Sequence, residues 1–80
     1  MNGLRVYINP SGAGGPDGRA TFYSRRGDGP LYCWSYEEQG RHWQVGRVHL
    51  TDPALRVLRV TSWRSVPPEL QVKMSEHYLE

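Results

Sequence analysis

Cysteine is almost missing from this chain, lysine nearly so, and a long apolar run entirely. The one cysteine, Cys33, can form no disulfide within the chain, so a sequence of 80 residues has no internal covalent staple. Chains of this size bury only about 60% of their unfolded surface. No basic flank followed by an apolar stretch opens the sequence as a signal peptide would. No segment approaches the roughly 20 apolar residues that a membrane span requires. These absences point to one small soluble domain over residues 1–80, cytoplasmic in location and without a membrane partner.

Lysine is limited to Lys73, whereas arginine occurs nine times. Residues 1–64 hold all nine arginines against Asp17, Asp28, Glu37, Glu38 and Asp52, a balance of +4; residues 65–80 hold Lys73 against Glu69, Glu76 and Glu80, a balance of −2. The body is basic and the tail acidic. Arginine suits planar, bidentate recognition of phosphate or carboxylate better than lysine does. A basic patch for nucleic acid or an acidic protein is one reading of this bias, and scattered solvating charge is the other.

Recognisable catalytic and cofactor motifs are missing too. Gly12 and Gly14 would need a third glycine at position 17 to make a dinucleotide loop, and that position is Asp17. The Gly-Lys-Ser/Thr of a nucleotide-phosphate loop does not occur. Zinc spacing is lacking, since His42 and His49 lie seven apart and point to opposite faces of one strand, while His77 lies far along the chain. Adjacent Glu37 and Glu38 face opposite ways in a strand and so make no acid–base pair; they are expected to pair with Arg41 and its neighbours. No cofactor, no metal and no catalytic residue is assigned.

What is present is mostly strand pattern. Residues 4–9 alternate Leu4, Val6 and Ile8 with Arg5, Tyr7 and Asn9, the period of a half-buried strand. Residues 10–18 are turn formers that bury nothing and are expected to form a flexible loop. Residues 19–26 supply a second strand, which stops at Asp28, Gly29 and Pro30. Residues 31–50 form a hairpin, with Gln39 and Gly40 at its tip and Gly40 offering the positive φ of a tight turn. Asp52-Pro53 opens either a turn or one turn of helix. Residues 56–64 are too β-branched for a helix and are read as a fifth strand. Residues 67–80 read as a C-terminal helix, with prolines at its start and Leu70, Met74, His77 and Tyr78 along one face.

A tip at Gln39 and Gly40 fixes a register in which paired residue numbers sum to 79. One hairpin face then carries Tyr32, Trp34, Tyr36, Trp43, Val45 and Arg47; the other carries Cys33, Ser35, Glu37, His42, Gln44 and Gly46. The small polar face suits water, which makes the aromatic face core, with a nucleic-acid stacking platform and a subunit interface as its alternatives. Cys33 and His42 share a face yet stand roughly 13 Å apart along the strand, too far for a nucleophile and its base.

The expected fold is α+β: a five-stranded antiparallel sheet, curved or partly closed, followed by one C-terminal helix. Its expected core is Leu4, Val6, Ile8, Phe22, Trp34, Tyr36, Trp43, Val45, Val57, Val60, Leu70, Met74 and Tyr78. The expected function is a non-catalytic interaction module for a protein partner, or for a second copy of itself, through Arg25, Arg26, Tyr32, Arg41, Trp43 and Arg47. The alternative is a single-stranded nucleic-acid-binding domain; an enzyme without a visible motif ranks third.

Overall fold

The computed structural model describes residues 3–10 and 21–79. The strands are β1 (Leu4–Ile8), β2 (Phe22–Arg26), β3 (Tyr32–Glu37), β4 (His42–Arg47) and β5 (Arg59–Thr61). Helix α1 (Asp52–Arg56) lies between β4 and β5, and a single 3-10 turn (Trp63–Ser65) leads to helix α2 (Pro68–His77). All pairings are antiparallel, in the order β4-β3-β2-β1-β5, and the sheet is not closed. The glycine-rich stretch read as a flexible loop lies, after Pro10, outside the described residues.

The hairpin has the register expected from its sequence, from Tyr32 opposite Arg47 to Glu37 opposite His42. Its tip is built differently. The left-handed backbone falls on Arg41, at φ 51°, rather than on Gly40. The Arg41 N–H donates to the Glu38 carbonyl at 3.2 Å. The Glu37 carboxylate, expected to pair with Arg41, accepts instead from the Gln39 N–H at 2.9 Å and from the Gly40 N–H.

Helix α2 begins as proline chemistry dictates: Pro68 needs no N–H in the first turn, and Glu69 there favours the positive end of the helix dipole. Leu70 and Met74, one turn apart, are fully buried. They meet Val6, Phe22, Trp34, Trp43, Val66 and Tyr78 in one core, with Leu4, Ile8, Tyr32 and Tyr36 packed against it. The face of the sheet that carries Trp34 and Trp43 is therefore the buried one.

A buried polar chain ties the sheet to the end of the helix. The Trp34 indole N–H can only donate, so Ser24 Oγ accepts from it at 2.7 Å; Ser24 Oγ also bonds the Tyr78 hydroxyl at 2.6 Å. Arg26 donates from Nη2 to the Tyr78 carbonyl at 2.9 Å, with its guanidinium carbon 5.1 Å from the centre of the Tyr78 ring.

Three expected core residues are exposed: Val45 by 42%, Val57 by 50% and Val60 by 64%. Val45 lies on the core face but on an edge strand, with no further strand to cover it. Val60 pairs with Tyr7 and so points to the face away from Val6. Val57 caps α1 rather than entering a strand, because the fifth strand spans three residues instead of the expected nine. Asp52-Pro53 forms the single helical turn, one of its two expected outcomes.

Candidate interaction surface

The segment joining β2 to β3 turns sharply, and the site is built around it. Gly27 takes a φ of 54°, and the Gly29 N–H donates to the Arg26 carbonyl at 2.9 Å. A Cβ on Gly29 would stand 3.0 Å from that carbonyl oxygen, a crowded contact that glycine avoids. Arg25 donates from Nε to the Gly29 carbonyl at 3.0 Å, which orients its guanidinium beside the turn.

Two grooves open on either side of this turn, sharing Gly29 and Pro30. The larger, of about 520 Å³, is lined by Arg25, Arg47 and His49 and by the apolar surfaces of Pro30, Leu31, Val48, Leu50 and Leu55. Arg25, Arg47 and His49 meet there, and among the described residues no acid lines it. The smaller, of about 280 Å³, is lined by Arg26, Tyr32, His77, Tyr78 and Leu79 with the shared turn. His77 packs edge-on against Tyr32 and Trp34, with ring centroids at 4.4 and 5.3 Å.

Of the six residues singled out in the sequence, Arg25 and Arg47 come together in the larger groove, and Arg26 and Tyr32 in the smaller. The other two do not join them. Arg41 is exposed at the hairpin tip, six residues and roughly 20 Å along the strand from Arg47. Trp43 is buried in the core, edge-on to Phe22 at 6.0 Å and to Tyr36 at 5.4 Å.

The sheet face that α2 does not cover carries a second feature, to which only Arg25 of those six residues belongs. The registers align Val60, Tyr7, Tyr23, Cys33 and Gly46 in one row across all five strands. Arg5 and Arg25 oppose each other two residues along. Tyr23 and Cys33 hydrogen-bond side chain to side chain. Burial is the main cause holding both groups protonated above their ordinary range; the charge of Cys33 and its hydrogen bond add to the rise at Tyr23, while the bond to Tyr23 partly offsets it at Cys33.

Arg5, Tyr7, Tyr23, His49 and Leu55 were missed by sequence reasoning. For Arg5 and Tyr7 the signal was present, since strict alternation in residues 4–9 sets them opposite Leu4, Val6 and Ile8. For His49 and Leu55 no local signal exists, because the groove forms only when α1 folds back beside the end of β4.

Among the described residues, no group of three or more His, Cys, Asp and Glu side chains is placed to hold a metal ion, and no helix is long and apolar enough to cross a membrane. No family model, curated protein or solved structure matches this chain.

Proposed function

We propose that the protein is a non-catalytic interaction module that binds an acidic segment of a protein partner in the groove beside Gly29 and Pro30. The observation that carries this reading is the lining of that groove: Arg25, Arg47 and His49 around an apolar floor, with no acid among the described residues. A chain of Asp or Glu interspersed with Leu or Phe presents the complementary surface. Arg25 is pre-oriented by its bond to Gly29, which lowers the entropy lost on binding. The lone cysteine fits a reducing, cytosolic setting for such a module.

The test is fluorescence anisotropy with labelled peptides, one alternating acidic and large apolar residues and one with the acids replaced by lysine. The acidic peptide should bind and the basic one should not. The paired substitution R25E/R47E should abolish binding, and R47E alone, at an exposed position, should weaken it while leaving the unfolding free energy within about 0.5 kcal/mol. Equal binding of both peptides, or acidic binding untouched by R25E/R47E, would overturn the reading.

A second reading has its own support. Tyr7 and Tyr23 oppose each other on the sheet face that α2 does not cover, beside Arg5 and Arg25, a pairing of rings and cations suited to single-stranded nucleic acid. It expects an oligonucleotide to bind with steep salt dependence. Y7A should weaken that binding by about 1–3 kcal/mol, the usual range for one stacked base, and should leave the acidic peptide's affinity unchanged.

A further inference from the structure

The two edges of the sheet are unequal. On one side β5 is a three-residue strand flanked by helical turns. On the other, β4 is six residues long, with neither proline nor lysine in it, and its residues are exposed except for Trp43. Natural sheets blunt their edges with short strands, prolines or lysines. The β5 edge is short; β4 has neither proline nor lysine, and its one fixed charge, Arg47, stands at its end.

Which backbone groups this edge presents follows from one bond. The Val48 N–H donates to the Leu31 carbonyl at 3.0 Å, so residues 31 and 48 form a hydrogen-bonded pair. Bonding alternates along an antiparallel ladder, so Gly46, Gln44 and His42 also turn their backbone groups towards β3. Trp43, Val45 and Arg47 therefore direct their N–H and C=O groups outward.

We propose that β4 pairs with the β4 of a second copy of this chain, antiparallel and about a two-fold axis through Val45. A two-fold axis perpendicular to the sheet keeps like faces together, so partners must both be odd or both even along β4. Centring on Val45 sets Val45 against its own counterpart, Trp43 against the partner's Arg47, and Gln44 against the partner's Gly46. Each outward-facing residue of β4 then exchanges backbone hydrogen bonds with another. The exposed Val45 side chains cover each other, and an arginine meets the edge of a tryptophan instead of another cation. Gly46, where a Cβ would meet nothing within 4 Å, leaves room for the opposing glutamine. Shifting the axis to Gln44 would oppose Arg41 to Arg47, two like charges directly across the ladder, which is unfavourable.

Sedimentation of the full chain over a concentration series tests this independently of any peptide binding. The native chain should become dimeric as its concentration rises. V45P removes one outward N–H and no bond to β3, and V45K places two lysines on the axis; both should stay monomeric while keeping the native circular-dichroism spectrum. In a C33S background, V45C should cross-link between copies under mild oxidation, because hydrogen-bonded partners stand about 5.5 Å apart at Cα, within disulfide reach. Q44C should cross-link far more slowly. A native chain that stays monomeric throughout, a dimer that persists in V45K, or faster cross-linking of Q44C than of V45C would each overturn the proposal.

Discussion

Ser24 is the smallest residue in the core and carries its main polar obligation. It is fully buried, accepts from Trp34 and bonds Tyr78. Substituting Ser24 with Ala leaves an indole N–H and a phenol without that partner, and a buried polar group left unsatisfied costs about 1–3 kcal/mol. The urea midpoint of S24A should fall accordingly with an unchanged slope. Trp43 makes the contrast, because its indole nitrogen is buried with no hydrogen-bond partner among the described residues. Trp43→Phe should therefore destabilise less than Trp34→Phe in the same assay, and an equal loss would show that the Trp34–Ser24 bond contributes little. Protonation adds a pH dependence. Burial foremost holds Tyr78 protonated above its ordinary value of 10.0, as it does Tyr23, and it holds Cys33 above 9.0. The folded chain thus keeps these protons longer than the unfolded chain. Their contribution is complete below the unfolded values and is lost as pH rises through them towards the folded ones. The urea midpoint should stay level on this account through neutral pH and decline once the thiol range is reached. C33S should postpone that decline to the tyrosine range.

At the scale of elements, α2 buries Leu70 and Met74, one turn apart, against the sheet. Leu70→Ala should cost about 2–5 kcal/mol, the usual range for a large core residue truncated to alanine. Val72, two residues on and 59% exposed, should tolerate alanine within about 0.5 kcal/mol; comparable losses at both positions would contradict the burial pattern. The elements also show where a sequence can be read. The register of the β3–β4 hairpin was legible, because a strict alternation of rings with small polar groups leaves one pairing; its tip was not, since four residues, Glu38 to Arg41, separate the strands and the left-handed backbone falls on Arg41. The helix was legible from its prolines and the Leu70–Met74 spacing. Residues 56–64 were not, because β-branched composition reports a fit to extended backbone without saying how much of it a neighbour will pair. Only the three residues beside β1 became strand. Val66 was likewise invisible as core, since it belongs to no periodic run and is buried only where the chain turns from the 3-10 segment into α2.

For the whole molecule the decisive fact was strand order, which no local pattern encodes. Placing β1 between β2 and β5 turns Val60 outward, aligns Tyr7 with Tyr23 and leaves β4 as an edge. Val45 is exposed for that reason, although the hairpin face to which it belongs was assigned correctly. The grooves followed the same logic: Arg25 and Arg47 were named for their type, but only the folded chain sets them beside His49 and Leu55. This architecture can be checked through its three tryptophans. Trp34 and Trp43 lie in the core, while Trp63 is 37% exposed on the 3-10 turn after β5. Acrylamide should quench one fraction of the native emission readily and the rest poorly. Trp63→Phe should remove the quenchable fraction and leave blue-shifted, protected emission. A ligand in the Arg25–Arg47 groove should then leave that residual emission unchanged, since neither Trp34 nor Trp43 lines it. Ready quenching of the Trp63→Phe variant would place a second indole in water and contradict the packing of α2 against the aromatic face of the hairpin.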